Sequence, residues 1–327
     1  YTGEASILAI LMMIFGVAIL LLNQISVKSR KSYTTVTGKS GQISKFNLGR
    51  SGKYIIAIIL IIITFFTSVF PIVCFAFETF LPNPGDYSFL YTGDPDNLTT
   101  KWWVTNENIT ENGMYGQQGI LYNDMIWHAY KGTIMVSVCC ALTAGTIGTL
   151  IGYAVSKNRR SRWANYVNSV AFLPYLMPSI AVGVAFFILF SNKYVNLFNT
   201  YALLIIVGTV KYIPFASRSS LNSMLQLSGE IEEAAIIQDI PWTKRMTRII
   251  IPIQKTSIIS GYLLPFMTCL RELSLFILLC VQGFILSTTL DYFDEMGLYA
   301  FSSGINLILI VTILICNALV NKATGAS

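Results

Sequence analysis

The sequence predicts an all-α polytopic membrane protein with seven transmembrane helices and one extracytoplasmic loop. Three observations carry this. Of 327 residues, 54% are hydrophobic and 12% charged, too little polar material to clothe a water-soluble globule. The apolar residues are gathered in runs long enough to cross ~30 Å of hydrocarbon at ~1.5 Å per helical residue. The Lys and Arg residues crowd into alternate gaps between those runs, as the positive-inside rule requires of cytoplasmic loops.

In chain order, the first apolar run is Ser6 to Leu22, with no basic residues before it, so it does not read as a signal peptide. Residues 23–53 carry Lys28, Arg30, Lys31, Lys39, Lys45, Arg50 and Lys53 without one acid, a cytoplasmic signature that puts the N-terminus outside. A second span from Tyr54 to Phe77 leads to a segment from Glu78 to Lys131 that is rich in acids, Gly, Pro, Asn and aromatics and reads as an extracytoplasmic loop. Its Tyr87, Phe89, Tyr91, Trp102, Trp103, Tyr115 and Trp127 are expected to pack it into a small cap. Further spans are expected over Thr133–Val155, Val167–Phe190, Tyr201–Leu221, Ile258–Val281 and Leu298–Val320. With the C-terminus inside, seventeen of the twenty-two Lys and Arg fall in cytoplasmic loops, which decides the orientation.

An odd count that opens on a lone helix points to a repeat. Laid without gaps on the chain end, Tyr1, Ile7, Ile10, Leu11, Leu21 and Asn23 match Tyr299, Ile305, Ile308, Leu309, Leu319 and Asn321. Residues 1–22 then read as the last helix of an upstream half and 23–53 as a linker. Residues 54–130 supply a span and the outer loop, and 131–327 the main transmembrane domain.

The largest polar interruption of the apolar pattern is 228–252, which the topology places in the cytoplasm. Ser228 suits an N-cap, with Glu230, Glu232 and Glu233 in the opening turns where acids favour the positive helix end. The first short helix should stop near Asp239. Pro241 suits the start of a second, and Pro252 biases Ile251 away from helix. The spacing Glu233-Ala234-Ala235, three residues, Asp239, nine residues, Ile249-x-Ile251-Pro252 resembles the E-A-A loop of type I binding-protein-dependent ABC importer permeases. In that family Gly usually stands where Asp239 does, and Leu where Ile251 does. Asp serves if the position is a left-handed turn.

The resemblance implies a type I ABC permease domain from about Lys131 onward, with 229–238 a coupling helix seated in a groove of a separate ATPase. Glu233 would meet a basic residue there, and Ala234 and Ala235 would allow close approach; Asp239, Ile249 and Pro252 complete the motif. It further implies a bacterial inner-membrane location, an ATPase dimer that holds ATP and Mg, an extracytoplasmic substrate-binding protein, a second permease half and surrounding lipid, and no nucleic acid. Leu270-Arg271-Glu272-Leu273-Ser274, together with Tyr33 to Lys39 in the linker, looks like the iron(III)-type permeases, in which two six-helix halves are often fused. Ferric iron, or a related anion or chelate, is then the favoured cargo, although relatives of that group also carry phosphonates, thiamine, polyamines or sulfate-like anions.

No catalytic or metal-ligating cluster is expected: there is one histidine, His128, and all six cysteines lie in apolar runs. Gly38-Lys39-Ser40 is not a phosphate loop, because Tyr33 stands where its first Gly belongs. Lys211, about ten residues into the fifth span, and Arg271 and Glu272, midway along the sixth, are charges at membrane depth. They either border a translocation path that attracts an anionic substrate or form a structural network that fixes helix packing. A secondary transporter or channel built around these three charges is the alternative to an ATP-driven importer. Gly145, Gly148 and Gly152 read as close helix packing, and Pro174, Pro178, Pro214 and Pro265 as kinks or unwound turns.

Overall fold

The computed structural model describes residues 49–83, 85–88, 91, 98–109 and 116–324, together with Ile7, Ile10, Leu11, Ile14, Phe15, Gly16 and Ala18. Residues 23–48 of the expected linker and most of the first span lie outside the described residues, while 49–53 are helical. The described chain is helical, joined by turns and by two isolated antiparallel bridges, Ile109 with Gln117 and Ser191 with Asn196.

Helix α1 (Ser51–Glu78) is long and apolar enough to cross a membrane, and none of its residues is buried. Only its last part, Phe70–Glu78, packs on the chain's final helix. After a single turn, α2 (Lys101–Val104), comes α3 (Asp124–Lys157), an unbroken 34-residue helix. Asn123 caps α3 by accepting from the Ile126 N–H.

The expected fourth span is broken. It consists of α4 (Arg162–Leu176) and α5 (Ser179–Phe190), bent by 100° at Met177 and Pro178. Pro178 has no N–H for the helical ladder and its ring opposes continuation, so the helix ends there. α6 (Tyr201–Gln226) then crosses the bundle in one piece, with Pro214 inside it.

The polar segment forms α7 (Gly229–Ile237) and α8 (Trp242–Ile253), and the chain turns by 86° into α9 (Lys255–Leu270). The expected sixth span does not continue to Val281. The helix stops at Leu270, and residues 271–285 run as successive turns before α10 (Leu286–Glu295) and α11 (Tyr299–Thr324). Among the described residues, four helices can cross a membrane unbroken, and six spans result if each bent pair counts as one.

Lipid is as apolar as leucine, so helix association in a membrane rests on close packing and hydrogen bonds. The α3–α6 seam shows this. A Cβ added at Gly148 would stand 2.5 Å from the Ala216 Cβ, and one at Gly152 would stand 2.7 Å from both Ser220 Cβ and Leu221 N. Gly145 opens the same face of α3 to the ring of Tyr262 on α9. The central core joins Val136, Cys140, Val207 and Tyr212 to Leu275, Phe276 and Leu279 from the turn segment. At one end, Trp102 and Ile120 of the segment 98–123 pack with Phe293 and Phe301, and the Trp102 indole donates to the Leu81 carbonyl at 2.7 Å. Of the expected cap aromatics, Trp102 and Trp103 belong to this cluster, Tyr91 is 90% exposed, and Phe89 and Tyr115 lie outside the described residues.

Candidate functional site: the helical hinge and the central polar junction

The hinge begins where Ser228, extended at φ −62° and ψ 133°, accepts a hydrogen bond from the Glu230 N–H at 3.4 Å. It ends at Asp239, whose φ of 54° is left-handed. Two bonds close that turn: the Asp239 N–H donates to Ile236 O at 2.9 Å and the Ile240 N–H to Ala235 O at 3.1 Å. This is a Schellman closure with Asp in the place usually held by Gly.

α7 therefore has two faces. Glu233, Ala234, Ile236 and Ile237 are exposed, Ile237 by 84%. Glu232 and Ala235, three residues apart, are buried. Ala235 thus packs against its own chain and is not free to approach a partner, contrary to the expectation that both alanines serve that purpose; adjacent residues are turned by about 100° on a helix.

Glu232 is the hinge residue that sequence reasoning missed. Its carboxylate accepts from Tyr153 Oη and pairs with Lys157 Nζ, both at the end of α3, and lies 3.9 Å from Arg245 Nε of α8. Burial alone would raise its pKa, but Lys157, Tyr153 and Arg245 outweigh burial and hold the carboxyl below its usual value. Arg245 also donates through Nη1 to the Ile240 carbonyl at 2.9 Å, so one guanidinium links the turn to the ion cluster. Nothing in local spacing announces this, since Lys157 is 75 residues away.

α8 does not stop before Pro252. A π turn over Met246–Ile250 widens the helix, the Ile251 N–H reaching back to Met246 O, and Pro252 is accommodated within the final turn. The same arrangement occurs in α1, where the π turn Phe65–Val69 precedes Pro71. The extra residue in the wide turn relieves the clash between a proline ring and the carbonyl four residues back. Ile249 is half-buried and Pro252 exposed, while Ile250 is buried against Met224, Met246 and Ile258. The indole of Trp242 lies beside the Tyr153 ring, centroids 6.2 Å apart.

The three charges expected at membrane depth sit at two helix breaks, Lys211 at the one between α4 and α5, Arg271 and Glu272 at the end of α9. Lys211, 8% exposed, donates to the Pro174 carbonyl at 3.0 Å and to the Met177 carbonyl at 2.6 Å. It thereby neutralises the C-terminal end of α4. Glu272 is not midway along a helix, as expected, but two residues past the end of α9. Its Oε1 accepts from the Leu275 N–H at 3.2 Å and its Oε2 from Tyr212 Oη at 3.2 Å. Arg271 caps α9 and is exposed. The turns after Glu272 lie against α5: a Cβ on Gly183 would be 2.7 Å from the Leu275 carbonyl. Their far end is tied to α6 through Asn199, whose N–H donates to Leu279 O at 3.0 Å and whose Oδ1 accepts from Val281 N at 3.0 Å.

A multi-pass helical bundle with broken spans at its centre and a capped helix pair at one end is the architecture of a membrane transport permease. The chain belongs to the family described as binding-protein-dependent transport system inner membrane component, which residues 144–324 match. It is similar to the ferric transport system permease protein FbpB of Actinobacillus pleuropneumoniae, 23% identical over 278 residues that cover 85% of this chain and 37% of that protein. It is also similar to the molybdate/tungstate transport system permease protein WtpB of Pyrococcus abyssi, 22% identical over 190 residues, 58% of this chain and 75% of that protein. Among solved structures, a bacterial alginate ABC transporter in complex with alginate pentasaccharide-bound periplasmic protein matches with a TM-score of 0.58 at 15% identity, over 83% of this chain and 92% of that chain. The chain spans about two-fifths of the length of the ferric transport relatives it matches.

Proposed function

We propose that this chain is the membrane half-channel of an ATP-driven importer that works by alternating access, and that α7 is the helix through which a separate ATPase dimer drives it. The observation that carries the reading is α7 itself. It is capped at both ends, anchored by Glu232 and Ala235, and left with Glu233, Ala234, Ile236 and Ile237 facing outward. A short rigid helix with an acidic and apolar outer face suits a groove in a soluble partner, with Glu233 placed for a basic residue. Asp239 closes the turn, and Ile249 and Pro252 belong to the second helix that braces it.

In this reading the end of the bundle that bears Lys157, Arg159, Arg160 and Arg162 is cytoplasmic, the C-terminus is inside and the N-terminus outside. ATP and Mg are held by the ATPase. Binding of ATP closes the dimer, the hinge transmits the closure, and the central path opens toward an extracytoplasmic binding protein; hydrolysis resets it. Residues 1–22 are the last helix of an upstream half, 23–53 its linker, and that half or a second permease completes the path. The turn segment 271–285 with Arg271 and Glu272 borders the path. Lys211 shapes it from behind by holding the α4–α5 break.

Ferric iron is the favoured cargo, supported by the name of the ferric transport relatives. Purification of the complex from its native membrane tests the reading: a co-purifying ATPase is expected, and its absence removes the importer mechanism. Elemental analysis of the ligand held by the partner binding protein should find iron; molybdate or an organic cation there would reassign the cargo.

A further inference from the structure

The ion cluster at Glu232 points beyond the docking face of α7 to the element that receives its motion. Glu232 is 5% exposed, and two of its three partners, Tyr153 and Lys157, belong to the last turns of α3. The third, Arg245, ties α8 and the Asp239 turn into the same knot. α3 is the longest helix described and contains no Pro, whereas α4, α6, α8 and α9 all do. At ~1.5 Å per residue its 34 residues reach ~50 Å, the full depth of the bilayer with its headgroups.

The far end of α3 is fastened as firmly as the near one. Asn123 Nδ2 donates to Gln117 Oε1 at 3.0 Å, and the Trp127 indole donates to the Ile120 carbonyl at 3.1 Å. Ile120 is fully buried. The outer segment 116–123 is thus carried on the same rod.

We propose that Glu232 is a positioning residue that fastens α7 to α3, so that a load on the exposed face of α7 moves α3 and the outer segment 116–123 as one body. This rests on the reading of α7 as the ATPase-docking helix. The Glu232 end of the pair is shielded from water, its side chain 6% exposed against 36% for Lys157, so the carboxylate left without its cations would stay buried and unpaired. The covalent link from α6 to α7, Leu227 and Ser228, is two residues long with Leu227 extended at φ −77° and ψ 130°, and by itself transmits direction poorly.

The test uses the full complex with its ATPase in lipid vesicles and spin labels introduced as noncanonical amino acids. One pair, at Asn158 and Gln238, reports the joint between α3 and α7; a second, at Asn158 and Lys322, reports the movement of α3 against α11. On addition of Mg-ATP and vanadate the first distance should stay constant and the second should shift. In Glu232→Ala the second shift should fall by at least half and the first distance should become nucleotide-dependent. Lys157→Met, which alters α3 and leaves the hinge sequence intact, should move both readouts in the same direction, which a merely misfolded hinge would not do; Glu232→Gln, which keeps the shape and the Tyr153 bond, should lie between. A nucleotide-dependent Asn158–Gln238 distance in the unaltered protein, or a full shift in Glu232→Ala, overturns the inference. If the unaltered chain retains no ATPase, the coupling reading itself falls and the inference with it, and the two failures are distinguished because that one precedes any substitution.

Discussion

Lys211 Nζ donates to the carbonyl oxygen of Pro174 across 3.0 Å, an oxygen of the α4 ladder whose donor, four residues on, would be Pro178 and is therefore missing. A lysine on one helix supplies a hydrogen bond to another at the point where Pro178 ends it. In hydrocarbon an unmet carbonyl costs several kcal/mol, and water is not there to help. A charge at membrane depth is here explained by a backbone vacancy.

Lys211→Met should therefore destabilise the detergent-solubilised protein by about 1–3 kcal/mol for each carbonyl left unmet. The loss should shrink when Pro178→Ala is also present, because an N–H at 178 lets α4 continue and meet Pro174 O internally. Thermal unfolding of the four proteins of this double-mutant cycle measures the coupling. Equal losses in both backgrounds would detach Lys211 from the break.

Glu233→Lys should leave folding untouched, since the side chain is exposed, while uptake falls and ATP hydrolysis no longer responds to the loaded binding protein. Unaltered uptake would take Glu233 out of the coupling mechanism. Ala235→Leu is expected to act differently, lowering stability, because Ala235 is buried against the bundle.

Asp239→Gly should be neutral or slightly stabilising, and Asp239→Val should cost on the order of 1–2 kcal/mol, because a φ of 54° crowds a branched Cβ. The midpoint of thermal unfolding and the ATPase-to-uptake ratio both read this. Equal tolerance of Val and Gly would mean that the turn is not held left-handed in the working protein.

The Glu232 carboxyl, despite its burial, is held below the ordinary glutamate value by Lys157, Tyr153 and Arg245. A carboxyl with a depressed folded-state pKa contributes stability that is fully present above the unfolded value and is lost as pH falls through the folded one. The difference in stability between the unaltered protein and Glu232→Gln should thus be flat from about pH 8 to about pH 5 and decline below about pH 4. A difference that already declines near neutral pH would contradict the ion cluster.

Gly148→Leu should separate α3 from α6, since even a Cβ there would meet the Ala216 Cβ at 2.5 Å and the Ser217 N at 2.7 Å. Overpacking of this kind costs about 1–3 kcal/mol or more. The same change at Gly229, where only the tip of Glu233 comes near a built Cβ, should be far milder in the same unfolding assay.

Much of this protein follows from one-dimensional patterns. The apolar runs and the basic loops mark the helices; the spacing from Glu233 to Pro252 marks the hinge; Ser228 marks its start and Asp239 its turn. These are local properties: capping, left-handed tolerance and hydropathy act within a few residues, and so can be read from neighbours in the chain. The two proline-broken segments were only half legible. Pro174 and Pro178 announce a kink, but its 100° bend depends on what lies beside it. The end of α9 at Leu270 has no proline to mark it.

Tertiary structure alone decided which charge does what. Lys211 reads from its position as a residue of either the path or a structural network, and its Nζ donates to the Pro174 and Met177 carbonyls. Glu232 and Glu233 look alike in the sequence, yet Glu232 is the one turned inward to Lys157 and Arg245. A charge placed in a low-dielectric interior takes its role from the partners within a few ångströms of it, and those partners lie 13 to 75 residues away in the chain, where no periodicity or spacing connects them.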